Sequence, residues 1–171
     1  MKLELKNVRV NNAMSEETTC FTATLYADGK KMAHCRNSGT GGMTDVRFID
    51  EFNSESVQHV LEWCKDNPVV QSYRNKVMKF HDVSTRVDEL LFEYLMKKEL
   101  ISRQKNSLVL HENNSNDPGF VIHKYLKLRM DIDTMMKDNQ CRNILKQKIL
   151  EYKHKNITVM NTNIDFKLLG L

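Results

Sequence analysis

Hydrophobic and polar residues alternate along the first third of the chain, a pattern typical of β-strands. The segment LELKNVRV, residues 3–10, predicts a first strand, and NNAMSEE after it has the composition of a turn. Residues 18–37 follow, with Asp28-Gly29 near their centre. This pair favours a two-residue hairpin turn with positive φ at both positions, so the segment predicts a β-hairpin.

The predicted hairpin has a register and two different faces. Its expected cross-strand pairs are Leu25 with Met32, Ala23 with His34, and Thr22 with Cys35. The side chains expected on its buried face are Phe21, Ala23, Leu25 and Met32. The opposite face is expected to carry Thr22, Thr24 and Tyr26.

The hydrophobic period then changes toward that of helices. After a short predicted strand in VRFIDEF, residues 46–52, a helix is expected to begin at Asn53 or Ser54 and to end at Asp66 to Pro68. Its apolar stripe consists of Val57, Val60, Leu61 and Cys64. A second helix is expected where Thr85 and Asp88 approximate a capping box. Its inner face consists of Val87, Leu90, Leu91, Tyr94 and Leu95.

The second half of the chain predicts another hairpin and a third helical region. SLVLH and FVIHKYL, at residues 107–111 and 120–126, read as two strands joined by the polar loop ENNSNDPG. The helical region begins near Asp131 and is interrupted around residues 138–139, and the final segment, residues 156–169, reads as a strand and a tail. The helical region carries Cys141, Ile144, Leu145, Ile149 and Tyr152 at helical spacing.

Together these elements predict an α+β fold. An N-terminal antiparallel hairpin sheet would have about three helices packed on it, accompanied by the second hairpin. With two prolines and no Ser/Gly-rich linker, the chain is expected to form a single domain over residues 1–171, β-rich in 1–50 and helix-rich in 51–171.

Charge is distributed unevenly along the chain. The net charge is +4, and the whole excess lies in residues 86–171, where 15 Lys and Arg face 11 Asp and Glu. Many of these alternate with acids, as on a solvated helix face. The alternative is a phosphate-binding surface, for which the candidate residues are Lys124, Lys127, Arg129, Arg142, Lys146, Lys148, Lys153 and Lys155.

The glycine-rich segment RNSGTGGMTD, residues 36–45, is the strongest candidate for a ligand site. It lacks the Lys and Ser/Thr of a P-loop, and Thr44 stands where a dinucleotide fingerprint needs its third glycine. Two interpretations remain: a nest of amide groups that binds an anion, or a positive-φ exit from the hairpin. The candidate ligand-binding residues are Arg36, Asn37, Ser38, Gly39, Thr40, Gly41 and Gly42.

Other chemical constellations are incomplete. The six histidines show no metal-ligand spacing, although His111 and His123 would face each other in the second hairpin. No cysteine lies in a recognisable nucleophile frame, and Cys64 is expected to be a small buried hydrophobe. Glu16-Glu17 is expected to be an exposed acidic turn rather than a catalytic pair. We therefore expect no cofactor and no metal.

The sequence also indicates a compartment. The four cysteines form no disulfide or zinc pattern, no apolar run is long enough to span a bilayer, and the N-terminus lacks the apolar core of a signal peptide. These features favour a soluble, intracellular protein that does not contact a membrane.

Three short motifs follow one another near the start of the chain. They are E-E-T-x-C-F at residues 16–21, D-G-K-K at 28–31 and N-x-G-x-G-G at 37–42. In this order they resemble the front end of a family of small uncharacterised proteins carried by bacteriophages and other bacterial mobile elements. The resemblance covers residues 3–43. It implies a phage-encoded accessory protein in the cytoplasm of a bacterial host, and it carries over no catalytic role.

These observations favour a non-enzymatic protein that binds a host protein, such as a component of anti-phage defence. Two alternatives stay open. One is a nucleic-acid-binding module that uses the basic second half, and the other is binding or cleavage of a nucleotide-like signal at the glycine-rich segment. The sequence also leaves a homo-oligomer open.

Overall fold

The computed structural model describes residues 1–73, 76–113, 121–155 and 157–171, except for the side chains of residues 72, 73, 112, 113 and 121–123. The predicted α+β fold is confirmed. The chain divides into two compact units, Met1–Leu95 and Met96–Leu171, which are described separately. The single-domain organisation stays a prediction, and most of the polar loop ENNSNDPG lies outside the described residues.

The first unit is built on a four-stranded antiparallel sheet. Its strands, in spatial order, are β1 (Leu3–Val10), β2 (Phe21–Ala27), β3 (Lys30–Asn37) and β4 (Asp45–Phe48), and a short 3₁₀ helix at Asn12–Met14 follows β1. The remaining elements of this part of the chain are α1 (Glu55–Asp66), the hairpin of β5 (Val69–Tyr73) and β6 (Lys76–Phe80), and the start of α2 (Val83–Gln104). The predicted strands at 3–10, in the hairpin and in VRFIDEF are confirmed.

One face of this sheet packs on the two helices. The buried cluster contains side chains of β1, β2 and β3 together with Val60 and Cys64 of α1 and Val87 and Leu91 of α2. The side chains predicted for the buried face of the hairpin are all buried: Phe21, Ala23, Leu25 and Met32. Removal of this apolar surface from water, worth about 25 cal/mol per Å² buried, holds the layers together.

The hairpin turn is confirmed, but the predicted register is wrong beyond it. Asp28 and Gly29 have φ values of 47° and 83°. A β-bulge then places Met32 as an extra residue in β3, so that Tyr26 pairs with Lys31 while Leu25 pairs with Ala33. The observed pairs are Leu25 with Ala33, Ala23 with Cys35, and Thr22 with Arg36. One extra residue exchanges the two faces of every position beyond it.

A second bulge interrupts β1. Lys6 pairs with Thr24 and Arg9 with Thr22, so three steps along β1 match two along β2. Asn7, inside the bulge, has a φ of 54°, a left-handed conformation that asparagine tolerates better than most residues. Because of this bulge, Val8 joins the buried cluster and Arg9 points to the opposite face.

The helices of this unit begin near the predicted positions, but the second has a different cap. Ser54 precedes α1, and Val57, Val60 and Cys64 are buried as predicted. Asp82, rather than Thr85, caps α2, since its carboxylate accepts hydrogen bonds from the Thr85 backbone N and Oγ1 at 2.7 and 2.9 Å. The predicted capping box is therefore wrong.

The β5–β6 hairpin was not predicted. Val69 is buried, whereas Val70, Val77 and Met78 are exposed. Because apolar residues lie on both faces of this hairpin, the segment lacks the alternation by which half-buried strands are recognised.

The second unit contains a three-stranded sheet and two helices after the end of α2. The sheet order is β8 (Val121–Lys127), β7 (Ser107–Asn113) and β9 (Thr158–Val159), and the helices are α3 (Ile132–Lys137) and α4 (Asn139–His154). The second hairpin, the helical interruption at Asp138 and the short final strand are all confirmed. Asp131 and Asp138 cap the two helices through backbone N–H groups of Thr134 and Cys141.

A buried amide ties the end of the chain to β7. Asn161 Oδ1 accepts a hydrogen bond from the Val109 backbone N at 2.7 Å, and its Nδ2 donates to the Ser107 carbonyl at 2.9 Å. The Gln104 side chain accepts two more from Thr162. These side-chain hydrogen bonds continue the short pairing of β9 with β7. They also hold Ile164 and Leu169 in the second apolar cluster.

The bulge at Asn7 leads to a stability prediction. We expect Asn7→Val to lower the free energy of unfolding by about 1–2 kcal/mol, because a β-branched residue is poorly tolerated at positive φ. We expect Asn7→Gly to be neutral or slightly stabilising, because glycine adopts this conformation freely. Urea denaturation measures both. Equal effects of the two substitutions would contradict the assigned bulge.

Candidate binding surface on the N-terminal sheet

The face of the first sheet opposite α1 and α2 is largely exposed, although Thr24 at its centre is buried. Paired residues in a sheet share a face, so the register defines three rows of side chains across it. The first row is Arg9, Thr22, Arg36 and Asp45. The second is Lys6, Thr24, His34 and Arg47. The third is Glu4, Tyr26 and Lys31. We call these eleven residues the open face.

Cations exceed anions on the open face. Among its described side chains there are five Lys and Arg but only two carboxylates, those of Glu4 and Asp45. Arg36 and Arg47 share one carboxylate oxygen of Asp45, with their Nε atoms at 3.2 and 2.9 Å from it. In the part of the chain that the structure describes, no carboxylate lies within ion-pair distance of Arg9. The face therefore carries a surplus of positive charge.

The basic side chains of the open face are exposed to solvent. The side chains of Arg36 and Arg47 are 64% and 68% exposed, and Arg9, Lys31 and His34 are exposed as well. Charges with this exposure are available to a ligand, because their ion pairs with Asp45 are surface pairs worth about 0–1 kcal/mol each.

Two adjoining grooves cross the open face. The first, of about 500 Å³, runs from Arg9 and Thr22 to Arg36, Asn37 and Ser38. The second, also about 500 Å³, is lined by Asn7, Val8, Arg9, Thr22, Ala23, Thr24 and His34. Both have Arg9 and Thr22 in their walls. They are therefore neighbours, and Arg9 stands where they meet.

The glycine-rich segment reaches this surface at both of its ends. Arg36, Asn37 and Ser38 line the first groove, as do Met43 and Asp45, whereas the residues between them, 39–42, do not. Gly39 and Gly41 have φ values of 92° and 88°, as expected for a positive-φ exit from the hairpin. Their amide groups donate to Asn37 Oδ1 and Thr18 Oγ1 at 2.9 and 3.3 Å. These two donors are thus used inside the protein.

The nest of amide groups at this site belongs to another segment. The backbone N–H groups of Glu16, Glu17 and Thr18 all donate to the Gly39 carbonyl oxygen, at 3.0, 3.0 and 3.2 Å. The loop therefore supplies the acceptor and the acidic turn supplies the donors. In addition, a Glu17 carboxylate oxygen lies 2.2 Å from the position that a Cβ on Gly41 would take, which adds negative charge beside the loop. Ligand binding at residues 36–42 stays a prediction.

Asn37 organises this region from a buried position. Its Oδ1 accepts from Thr18 Oγ1 at 2.9 Å as well as from the Gly39 amide, and its Nδ2 donates to the Gly42 carbonyl at 2.8 Å and to Thr44 Oγ1 at 3.3 Å. Two donors and two acceptor positions of one amide are all used. The polar network fixes both ends of the loop.

The network ends at a carboxylate on α2. Thr44 Oγ1 donates to Asp88 Oδ1 at 2.5 Å. Burial raises the pKa of Asp88 above the usual range, and the Thr44 hydrogen bond only partly offsets this effect. The Asp88 carboxyl also lines a smaller groove of about 240 Å³, beside Leu91 and the exposed Phe92. Asp88 thus acts as a hydrogen-bond acceptor for Thr44 and does not cap α2.

The basic candidates of the second half come from two elements. Lys124, Lys127 and Arg129 lie on β8 or directly after it, and the others lie on or just after α4. At 100° per residue, Arg142, Lys146 and Lys153 fall on one flank of α4, whereas Lys148 and Lys155 fall on the opposite flank. Arg142 also donates to the Met136 carbonyl, and Lys155 pairs with Glu151 at 2.8 Å. Arg142 and Lys146 share a groove of about 340 Å³.

The remaining chemical candidates are placed as follows. Cys35 and Cys64 are buried, which raises the pKa of both thiols, that of Cys35 to about 12. Glu16 and Glu17 are exposed, as predicted. His111 pairs with His123 across the second hairpin, although the His123 side chain lies outside the described residues.

Comparison with protein-family models, with curated proteins and with solved structures found no match to this chain. The resemblance to small phage proteins therefore stays a prediction. None of the helices in the described ranges combines the length and apolar character needed to cross a bilayer.

Gly39 provides a stability prediction with a matched control. A Cβ at this position would lie 2.0 Å from the Met14 carbonyl oxygen and 2.9 Å from Cys20 Cβ, at positive φ. We expect Gly39→Ala to lower the free energy of unfolding by at least about 2 kcal/mol. Gly42→Ala, with open space around its Cβ, should change it by less than about 1 kcal/mol. Thermal or urea denaturation of both variants measures this difference, and similar losses would argue against the assigned packing.

Asp88 gives a pH-dependent prediction. With a raised pKa, the folded protein holds this proton more tightly than the unfolded chain does. Stability from Asp88 is therefore lost as the pH rises from about 4 through the raised pKa. Asp88→Asn removes this titration and keeps an oxygen that accepts from Thr44. We expect the unfolding free energy of the variant, relative to that of the original protein, to increase between pH 4 and pH 7. A pH-independent difference would contradict the raised pKa.

Proposed function

We propose that the protein is a non-enzymatic, phage-encoded accessory protein that acts in the cytoplasm of a bacterial host by binding a host macromolecule, such as a component of anti-phage defence. The observation that carries the proposal is the open face of the N-terminal sheet. It is a solvent-exposed surface with surplus positive charge and two adjoining grooves. The phage origin rests on the motif resemblance of residues 3–43 alone.

The geometry of the open face suits binding by contact. Its basic side chains come from strands of one sheet, so their backbone positions are fixed by inter-strand hydrogen bonds. A rigid scaffold reduces the entropy that is lost on binding. The surplus of cations indicates a partner with an acidic surface.

The two alternative sites have less support. The basic residues of α4 occupy two opposite flanks, so one partner would contact only part of the set. The glycine-rich loop uses the amide groups of Gly39 and Gly41 internally and has the Glu17 carboxylate beside it, which disfavours an anion there.

A capture experiment tests the proposal. Affinity-tagged protein, Arg9→Glu/Arg36→Glu and the control Lys97→Glu/Lys98→Glu are incubated with lysate of a bacterial host, and the bound proteins and nucleic acids are quantified. The control makes the same change in net charge at two exposed residues of α2. We expect the original protein and the control to retain a common partner, and the open-face variant to lose at least about tenfold, equivalent to about 1.4 kcal/mol.

Two results would overturn the proposal. One is equal recovery by the open-face variant and the original protein, because the face would then have no role. The other is the absence of any partner above the level of an unrelated tagged protein. Circular dichroism of all three proteins confirms that the substitutions leave the fold intact.

A further inference from the structure

We propose that the partner of the open face is single-stranded nucleic acid, bound across the strands through contacts with its phosphates. This inference rests on the proposed function, since it names the partner for the same surface. It differs from the sequence-based alternative, which places nucleic-acid contacts in residues 124–155.

The spread of charge on the open face fits a polyanionic strand. Neighbouring strands lie about 4.8 Å apart and successive residues on one face about 6.7 Å apart. Four strands and three rows therefore distribute the cations over about 14 by 13 Å. A ligand with a single acidic group would use one of these cations, whereas a chain of phosphates can use several at once.

Arg9 and Arg36 are the central contacts of this proposal. They occupy the same row on either side of Thr22, so about 10 Å separates their backbone positions. Arg9 has no carboxylate within ion-pair distance among the described residues, and Arg36 shares the carboxylate of Asp45 with Arg47. A phosphate near either arginine would gain a charge-assisted hydrogen bond without breaking a buried ion pair.

The grooves favour a single strand over a duplex. Each is an open groove of about 500 Å³, and the two adjoin at Arg9. A strand with unpaired bases can enter such grooves one or two nucleotides at a time, whereas the paired bases of a duplex remain stacked inside the helix. The shape of the face thus matches an unpaired strand.

The composition of the face favours nucleic acid over an acidic protein. Centres of protein–protein interfaces are depleted of charged residues and enriched in aromatic residues and Met, whereas interfaces with nucleic acid are more polar and positively charged. The eleven residues of the open face include arginine, lysine, histidine and threonine at its centre and one aromatic ring, Tyr26. Lys6 Nζ lies 4.5 Å from the centroid of that ring. The first groove also reaches two apolar side chains, the buried Phe21 and the exposed Met43. With so little surface for base stacking, affinity should depend on phosphates and vary little with sequence.

Fluorescence anisotropy with labelled oligonucleotides tests this inference on the full chain. The probes are dT20, rU20 and a 20-base-pair DNA duplex, with a 20-residue polyglutamate as competitor, measured between 50 and 200 mM NaCl. If about four phosphates are contacted, the log–log slope of affinity against salt should be about −2.8, which corresponds to about 50-fold weaker binding over this range.

Two matched double variants test whether the open face is the binding site for the oligonucleotide. We expect Arg9→Gln/Arg36→Gln to reduce the slope to about −1.4, because two phosphate contacts are lost. The control Lys97→Gln/Lys98→Gln removes the same charge from α2 and should leave the slope unchanged. The duplex should bind at least about tenfold more weakly than dT20.

Several outcomes would overturn the inference. They are no binding of dT20 or rU20 at 50 mM NaCl, a slope that is insensitive to the Arg9 and Arg36 substitutions, and duplex binding as tight as that of dT20. Displacement of dT20 by polyglutamate at equal charge concentration would overturn it in favour of an acidic protein. The proposed function is judged separately, because a nuclease-resistant partner captured through the open face would support it even when oligonucleotide binding fails.

Discussion

The alternation of side chains along a strand is the constraint on which the N-terminal sheet depends. Neighbouring residues point to opposite faces, so one extra residue exchanges the faces of everything beyond it. The bulge at Asn7 directs Arg9 to the open face, and the bulge at Met32 does the same for His34 and Arg36. Without these bulges the two arginines would point into the apolar cluster around Phe21, where unpaired charges are very unfavourable. The same two features therefore permit folding and create the basic surface.

The alternation of side chains also explains the buried position and the role of Asn37. The bulge at Met32 turns it inward, and a buried amide must find partners for its polar atoms. It finds them in Thr18, Gly39, Gly42 and Thr44, which lie on both sides of the loop between β3 and β4. Because the amide is fully paired, the loop has one preferred arrangement, and the end of the first groove, next to Arg36, is held in place. The glycines are required here for packing and positive φ.

Local signals in the sequence are sufficient for most elements of the fold. The Asp28-Gly29 turn, the strands around it and the helix break at Asp138 depend on residues that are neighbours in sequence. The register of the strands is harder to predict from the sequence, although a signal is present. The apolar residues of β1 stand at positions 3, 5, 8 and 10, and this spacing contains the one-residue shift. The two consecutive apolar residues Met32-Ala33 mark the bulge in β3 in the same way. The sequence has no such signal for the β5–β6 hairpin, whose exposed strands lack an alternating pattern.

The candidate site could be predicted only in part. Arg36, Asn37 and Ser38 were identified because they adjoin the glycines, and they do line a groove. Arg9 and His34 come from other positions in the sequence and reach this surface only through the register. The sequence also does not predict which segment donates the hydrogen bonds at the loop. The donors belong to residues 16–18, and they reach the Gly39 carbonyl only through tertiary packing.

The net charge of sequence segments does not reveal the basic surface of the open face. Residues 1–85 have equal numbers of basic and acidic side chains, which draws attention to the second half. The register separates the two signs in space. Most acids of this segment lie in turns or in α1, whereas five basic residues from β1, β3 and β4 share one face. At physiological salt, screening limits electrostatic interactions to about 8 Å. A ligand in contact with the open face therefore responds to the local surplus of cations, whereas a distant one responds only to the screened net charge of the chain, +4. Binding by this face would depend on close contact more than on long-range attraction.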